Sequence, residues 1–237
     1  MSGGGKPLKT KVLPHSLNCL PGTECIPIFH ITHVENLARI LDHHALVSHN
    51  GCRHGGIEYR RIGDASLKDT RSSFPVRVPP YGCLGDYVPF YLGPRSPMQY
   101  RIHQRSVAGY EGTEHDVIFL VSSLESLRRC GRPCVHTDGQ ANAHRTRHVE
   151  GLEEVAATVD WTVIRGKWWH NTDQYPDRQR RRSAEVLVHR RCPLSVIEGI
   201  AVANNTVVKR VASVLEARQV ALPTVERPGW YYGEAPR

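Results

Sequence analysis

The sequence has none of the short motifs that identify a zinc site, a nucleotide-binding loop or a membrane span. It contains no HExxH and no CxxC, and its seven cysteines are scattered and odd in number. It has no GxGxxG, no Walker loop and no run that approaches the roughly 18 apolar residues of a membrane helix. These absences argue against a zinc domain, a Rossmann protein, a P-loop NTPase and a membrane protein. They predict free thiols in a reducing compartment.

Fourteen histidines raise the question of a metal site. His144 and His148 have the i, i+4 spacing that suits two ligands on one helix face, and residues 144–157 resemble a broken helix. However, no third ligand stands at a spacing that would complete a site with this pair, whereas a metal site needs at least three protein ligands. We therefore expect no metal cofactor.

The 237 residues are enough for one large domain or two small ones. We predict a polar leader over residues 1–22, without the apolar segment of a signal peptide, and a single domain over residues 23–237 of a cytoplasmic protein. The net charge of +8 indicates an anionic partner, with nucleic acid as the first candidate. The stretch from Arg165 to Arg191 has eight Lys and Arg against three acidic residues. A solvated basic face is the alternative explanation.

Strand and helix signals follow one another irregularly, which favours an α+β fold over a doubly wound sheet. Pro89 predicts that its strand lies at a sheet edge, because proline cannot donate a ladder hydrogen bond. Residues 48–80 and 168–182 are predicted to be long loops, the first with a short helix near 66–71. The predicted strands cover residues 26–31, 87–92, 116–121, 134–136, 186–188, 197–203 and 224–232.

Three polar residues mark predicted helix starts. Thr32 and Ser122 each precede a glutamate by three residues, which is the spacing of a capping box. Ser96 stands directly before Pro97, as an N-cap before a proline in the first helical position does. Near the first of these starts, His30 and Thr32 lie where a strand passes into a helix. The free N–H groups of such a helix end suit a phosphate or another polar ligand.

One carboxylate, Glu185, stands directly before the apolar run 186–188 and after three consecutive arginines. The apolar, largely β-branched run predicts a buried strand. A surface ion pair with Arg181 or Arg182 would explain Glu185 without any function. Alternatively, a single acid at the end of a buried strand can stabilise a developing positive charge, while the surrounding cations hold a polyanion.

Five segments, in order along the chain, resemble the DarT family of DNA ADP-ribosyltransferase toxins, most closely its thymidine-modifying branch. The resemblance implies an ADP-ribosyltransferase fold, with a split, mostly antiparallel sheet around a cleft for NAD. It also implies that NAD is consumed as a substrate while ADP-ribose is transferred to a base in single-stranded DNA. The matching segments are FHITHVENL (29–37), DYVPFY (86–91), PRSPM (94–98), WHNTD (169–173) and RRSAEVLV (181–188).

The resemblance also assigns roles to individual residues. Glu185 matches the catalytic carboxylate, and Arg71 matches an arginine that acts on the target base, with Arg61 and Arg77 as alternatives. The loop ahead of Glu185 is expected to present DNA, and it is both aromatic and cationic, as single-strand binding requires. The expected NAD-binding residues are His30, Thr32, Asn36, Tyr91 and Arg95. The expected DNA-binding residues are Met98, Trp168, Trp169, Arg180, Arg181 and Arg182.

The implied partners are single-stranded DNA, NAD and a cognate antitoxin with ADP-ribosyl-hydrolase activity. Two other functions remain open at this point. One is an ADP-ribosyltransferase that acts on RNA or protein, and the other is a nucleic-acid-binding module without catalysis. An intact Glu185 within its motif argues against the second.

Overall fold

An eight-stranded sheet forms the centre of the computed structural model, which describes residues 26–63, 65–166 and 168–233. Residues 1–22, predicted to be a leader, lie outside the described residues. The strands are β1 (Pro27–His33), β2 (Ala45–Val47), β3 (Tyr87–Tyr91), β4 (Val117–Ser123), β5 (Cys134–Thr137), β6 (His148–Glu150), β7 (Glu185–His189), β8 (Arg191–Pro193), β9 (Gly199–Val202) and β10 (Thr224–Glu226). The helices are α1 (Leu37–Asp42), α2 (His49–His54), α3 (Ala65–Ser73), α4 (Pro97–His103), α5 (Leu124–Cys130), α6 (Val155–Thr158), α7 (Trp161–Arg165), α8 (Arg178–Arg182) and α9 (Asn205–Glu216).

The strands of the large sheet lie in the order β10-β9-β4-β1-β3-β7-β5-β6, and β2 pairs separately with β8. Neighbours are antiparallel except for the parallel pair β9 and β10. β1 pairs with β4 over seven residues, whereas it pairs with β3 only where Phe29 faces Tyr91. Beyond that point β1 and β3 separate, so the sheet is split in the middle. The predicted α+β fold with a split, mostly antiparallel sheet is confirmed.

β3 lies between β1 and β7, so the prediction of an edge strand is wrong. The carbonyl of Pro89 accepts a hydrogen bond from Nδ1 of His30, at 2.8 Å. The nitrogen and carbonyl of one strand residue point to the same side, so the missing N–H of Pro89 also faces β1. Because the two strands have already separated there, the proline costs no ladder bond.

Apolar residues of the strands pack on both faces of the sheet. Along β4, Ile118 and Leu120 belong to one cluster, and Phe119 and Val121 belong to a cluster on the opposite face. This alternation follows from the two-residue period of a strand. It explains why β4 is a continuous apolar run in the sequence, as strands covered on both faces are.

Two of the three predicted helix starts are displaced by one residue. Thr32 still belongs to β1, and His33 caps the following turn by accepting a hydrogen bond from the N–H of Glu35. In the same way Ser123, not Ser122, caps α5. Both strands extend two residues beyond their apolar runs, because the polar residues at each end still pair. The Ser96–Pro97 start of α4 is confirmed.

Other predicted elements differ in kind. Residues 144–157 contain strand β6 and the short helix α6, so His144 and His148 do not share a helix. The loop predicted over 48–80 contains α2 and α3, and the loop over 168–182 ends in α8. The short helix expected near 66–71 corresponds to α3, whereas α2 and α8 were not expected, because they are short and rich in polar residues and have no apolar period.

The last described residues form a strap, residues 227–233, that packs against one face of the sheet. Tyr231 is completely buried and donates a hydrogen bond from its hydroxyl to the carbonyl of Val117, at 2.9 Å. Glu114 accepts hydrogen bonds from the backbone N–H groups of Tyr232 and Gly233, at 2.9 and 2.7 Å. A final strand was predicted for 224–232, but only 224–226 pair with β9.

Replacing Tyr231 by alanine should lower the free energy of unfolding by about 3–5 kcal/mol, because the change removes a buried ring and leaves a cavity. Urea denaturation measures this effect. Tyr81 is 57% exposed, so Tyr81→Ala is the matched control and should change stability by less than about 0.5 kcal/mol. A loss for Tyr231→Ala no larger than that of the control would show that the strap does not stabilise the fold.

Candidate active site

The carboxylate of Glu185 lies at the start of β7 with its side chain only 2% exposed. Oε1 accepts hydrogen bonds from Nη1 of Arg71, at 2.9 Å, and from the backbone N–H of Ala141, at 3.2 Å. Oε2 accepts from Nη2 of Arg71, so the arginine grips both oxygens. Burying a carboxylate is unfavourable unless it is paired and hydrogen-bonded, and these three donors supply both conditions.

The backbone of Glu185 is fixed as well. Its N–H donates to Oγ1 of Thr137, at 3.0 Å, and that hydroxyl donates to the carbonyl of Gly139, at 2.7 Å. β7 is flanked by β3 and β5, which hold it along its length. The strand therefore delivers the carboxylate at one fixed position, as a catalytic group requires.

Arg71, near the C-terminal end of α3, is the arginine that the structure brings to Glu185. Its side chain remains 25% exposed, so one edge of the guanidinium is reachable. Burial acts to lower the pKa of Arg71, but the charge and hydrogen bonds of Glu185 outweigh it and raise the pKa. Of the two alternatives, Arg77 lies over the ring of Phe74, and Arg61 is exposed.

Tyr91 stands opposite Glu185 in the register between β3 and β7. Burial raises the pKa of its hydroxyl, and the nearby carboxylate of Glu185 raises it further. Tyr91 is therefore a neutral hydrogen-bonding group at physiological pH. It also marks the point where the sheet splits.

A cavity of about 430 Å³ lies at this split. β1 contributes one wall, and β3 and β7 contribute another. Further residues come from the segment that spans α1 to α3, from α4, from the loop after β5 and from α8. The volume lies within the range of small-molecule sites, roughly 300–1,000 Å³. Of the residues expected from the sequence, those that line the cavity are His30, Thr32, Asn36, Arg71, Tyr91, Met98 and Glu185.

Asn36 organises the wall of this cavity. Its Nδ2 donates to Oγ1 of Thr32, at 3.0 Å, and to the carbonyl of Arg60, at 2.8 Å. Its Oδ1 accepts the N–H of Arg60, at 2.7 Å. These bonds tie the end of β1 to the segment that follows α2. Asn36 thus holds the wall in place, and Thr32 and His30 present their side chains along it.

Arg95 is not among the described residues that line the cavity. Its Nη2 donates to the carbonyl of Tyr231, at 3.2 Å, and its guanidinium lies 5.6 Å from the ring centre of Tyr232. The structure therefore places Arg95 against the C-terminal strap, away from the wall where an NAD-binding role was expected. At this position of the PRSPM segment, the arginine stabilises the fold by holding the C-terminal strap.

Arg182 also differs from its predicted role. It is buried, and its guanidinium donates to the carbonyls of Val163, Ile164, Gly166 and Arg95. Burial lowers the pKa of Arg182. Since Arg182 is buried and its Nε and Nη1 donate to carbonyls of the chain itself, it is a structural cation that joins α7 to the turn before α4, and it is not presented to DNA.

The two preceding arginines form ion pairs within the protein. Arg180 pairs with Asp138 and Asp177, at 2.9 and 2.7 Å, and its side chain is largely buried. Arg181 pairs with Asp160 and Asp177, at 2.9 and 3.3 Å, and is half exposed. The prediction that Arg180, Arg181 and Arg182 form a phosphate-binding cluster is therefore corrected. Of the three, only Arg181 faces solvent, and Asp160 and Asp177 already balance its charge.

The aromatic residues of the same segment are more accessible. Trp168 is 60% exposed, and Trp169 packs against Tyr100 with ring centres 4.9 Å apart. Tyr175 is exposed and carries the guanidinium of Arg178 at 4.3 Å from its ring centre. We call residues 168–177 the aromatic loop. It leads directly into α8, where Gln179 lines the cavity.

A family model described as "ssDNA thymidine ADP-ribosyltransferase, DarT" matches residues 29–232. The DNA ADP-ribosyl transferase of Thermus sp. strain 2.9 is 35% identical over 215 residues, which cover 88% of this chain and 97% of the relative. The chain belongs to the DarT family. Thermus sp. 2.9 DarT in complex with ADP-ribosylated ssDNA is structurally similar with a TM-score of 0.82 at 35% identity, over 89% of this chain and 98% of that one. The complex of the same protein with NAD+ gives a TM-score of 0.78 at 33% identity, over 89% and 99% of the two chains.

Within this DarT domain, three parts of the site had no sequence signal. The N–H of Ala141 is a backbone donor, and its direction depends on a loop conformation that residue types do not encode. Thr137 is an ordinary strand residue by type. Gln179 and Ser183, which line the cavity, are uncharged polar residues in a segment rich in arginine, and nothing in their type indicates a site. Among the described residues, no group of three or more His, Cys, Asp or Glu is arranged to hold a metal ion. None of the described helices has the length and apolarity to cross a bilayer.

Arg182→Met should lower the free energy of unfolding by about 3 kcal/mol or more, because several buried carbonyls lose their donor at once. Arg181→Met is the matched control, since it removes the same charge from the adjacent, half-exposed position. Its cost should stay below about 1 kcal/mol. Urea denaturation of both variants distinguishes the two roles, and equal midpoints would contradict the structural role of Arg182.

Proposed function

We propose that this chain transfers ADP-ribose from NAD+ to thymidine bases in single-stranded DNA and releases nicotinamide. The observation that carries this proposal is the pair formed by Glu185 and Arg71 at the wall of a cavity in a DarT fold. The resemblances to a Thermus DarT solved with NAD+ and with ADP-ribosylated ssDNA support it. NAD+ is a consumed substrate in this reaction.

The chemistry explains why one buried carboxylate is enough. When the bond between nicotinamide and ribose breaks, positive charge develops on the ribose carbon, as in glycoside hydrolysis. Glu185 would accept a hydrogen bond from a neighbouring ribose hydroxyl, and this bond strengthens as the charge grows. Such an interaction stabilises the transition state more than bound NAD+ and therefore raises the rate.

The target base must then attack the ribose carbon. A ring nitrogen of thymine forms the new bond, its proton is released, and nicotinamide leaves as a neutral molecule. Arg71 is a poor base because guanidinium stays protonated. We assign it to polarising the base as the proton departs, through the edge that remains exposed beside Glu185. Tyr91, kept neutral, can donate a hydrogen bond at the same place.

For NAD+ itself, we propose the wall formed by His30, Thr32 and Tyr91, with Asn36 holding that wall in position. Met98 lines the same cavity and offers a soft apolar surface to a base. Trp168 and Trp169, on the aromatic loop, are proposed to stack unpaired bases. We further propose a single domain over residues 23–237, a cytoplasmic toxin and a cognate antitoxin that removes the ADP-ribose. The support for the last two is the DarT membership.

Glu185→Gln should reduce the rate of ADP-ribose transfer by at least about 10²-fold, because the neutral amide no longer stabilises the developing charge. NAD+ affinity should change only a few-fold. Incubation of the protein with labelled NAD+ and single-stranded DNA, RNA or protein measures the rate and identifies the acceptor. Labelling of RNA or protein in place of DNA would overturn the proposed substrate.

The matched control for this variant is Glu154→Gln, an identical change at an exposed position. It should retain the full rate. If Glu185→Gln remains folded and works as fast as this control, Glu185 is not the catalytic carboxylate.

Thymidine in single strands should be modified far more than the same sequence annealed to its complement. The reactive ring nitrogen of thymine lies on the pairing edge, so a duplex requires base flipping, which costs a few kcal/mol. Mass spectrometry at matched DNA and salt concentrations quantifies both products. Equal labelling of the two substrates would show that the enzyme opens duplexes.

A further inference from the structure

Arg180, Arg181 and Arg182, which were predicted to bind DNA, are engaged by groups of the protein itself, so other cations must supply the phosphate contacts. Three other arginines, Arg77, Arg145 and Arg147, are exposed. None of the three forms an ion pair with a carboxylate in the described part of the chain. We call these three residues the arginine ridge.

Two loops bring the ridge together. One loop, residues 74–83, carries Arg77, and the other, residues 138–148, carries Arg145 and Arg147. The N–H of Arg77 donates to Nδ1 of His148, at 3.3 Å, which ties the two loops to each other.

Phe74 lies between the loops. Its ring centre is 5.8 Å from the guanidinium carbon of Arg77 and 6.2 Å from the ring of His144, which directly precedes Arg145. The ring of His148, which follows Arg147, lies 6.3 Å from it. The ridge is thus one surface built around an aromatic ring.

The acidic residues near the ridge do not neutralise it. Asp138 accepts the N–H of Arg147, but its carboxylate is paired with Arg180. Glu150 is exposed and lies two residues beyond His148 on β6. One acid against three arginines leaves this surface positive, and arginine is the side chain best suited to phosphate.

The ridge is continuous with the catalytic carboxylate. Ala141, in the second loop, donates its N–H to Glu185, and Gln140 and Asn142 line the cavity. Arg145 follows Ala141 by four residues, so its Cα lies within about 14 Å of that contact. A strand whose base occupies the cavity therefore has neighbouring phosphates within reach of the ridge.

Aromatic side chains accompany these charges. Phe74 is partly exposed, and Tyr81, at the tip of the first loop, is 57% exposed. Exposed rings interleaved with cations are typical of surfaces that bind single-stranded nucleic acid, because bases stack on the rings while the backbone follows the charges.

We propose that the arginine ridge, which is separate in sequence from the aromatic loop, binds the phosphates of the single-stranded DNA substrate. The proposal rests on the proposed function, since it concerns the same substrate. It replaces the cluster Arg180–Arg182 as the source of the electrostatic attraction. Phosphate contacts position the strand, whereas the cavity selects the base.

The test is a triple variant, R77Q/R145Q/R147Q, measured by fluorescence anisotropy with labelled oligothymidine over a series of salt concentrations. Loss of three phosphate contacts should weaken binding at low salt at least about tenfold, and the slope of log K against log salt should fall by about 2. NAD+ affinity, measured by calorimetry, should remain unchanged and shows that the variant is folded.

The matched control is R129Q/R132Q/K209Q, which removes three exposed charges from α5, the turn after it and α9. It should leave most of the affinity and the slope intact. Equal losses in the two triple variants would overturn the ridge, because long-range charge alone would then explain the binding. An unchanged slope in the ridge variant would also overturn it and would leave this surface to an acidic partner.

The experiments distinguish a failure of the proposed function from a failure of the ridge proposal. If the native protein labels no single-stranded DNA with ADP-ribose, the substrate assignment is wrong and the ridge proposal falls with it. If the native protein labels the DNA and the ridge variant binds it equally well, only the ridge proposal is overturned.

Discussion

The ion pair of Glu185 and Arg71 lies at the centre of the sheet, where the Glu185 carboxylate is buried. Several elements of the fold are needed to place the two side chains together there. A carboxylate in the middle of a sheet would be strongly destabilising without a partner, and here Arg71 contacts both of its oxygens. Arg71 comes from α3, which lies in the chain between β1 and β3, the two strands that border the split. The carboxylate is fixed because β7 lies between β3 and β5 in the sheet. A substrate that fills the cavity beside the pair would displace water there, and this would strengthen the interactions between charges within it.

The split between β1 and β3 is the second condition of the site. A continuous ladder would close the space beside Glu185, whereas a single paired position at Phe29 and Tyr91 keeps the halves joined and the cavity open. Pro89 is compatible with a central strand only because of this opening. The proline in an apolar strand, which led to the wrong prediction of an edge strand, therefore marks where the proposed substrate site begins.

The sequence was sufficient for the fold class, which follows from the irregular order of strands and helices and from family motifs. It also singled out Glu185 and Arg71, which the structure brings together beside the cavity and whose catalytic roles stay predictions. It was not sufficient for the arginines. A run such as Arg180 to Arg182 contains no apolar residue, so no period reveals which side chain turns inward. That choice depends on the carbonyls of Val163 and Gly166, which come from a different helix and exist as acceptors only after folding.

Arginine therefore has opposite uses in this molecule, and the difference is set by what surrounds each side chain. Arg182 is buried and satisfied by carbonyls, so it contributes to stability and cannot contact a phosphate. Arg77 is exposed beside an aromatic ring without a carboxylate partner in the described residues, so its charge acts on whatever approaches. A count of charges along the sequence weights the two equally. Direct contact with the phosphates of a polyanion requires the second kind, and this is why the proposed phosphate-binding surface lies away from the densest run of arginines.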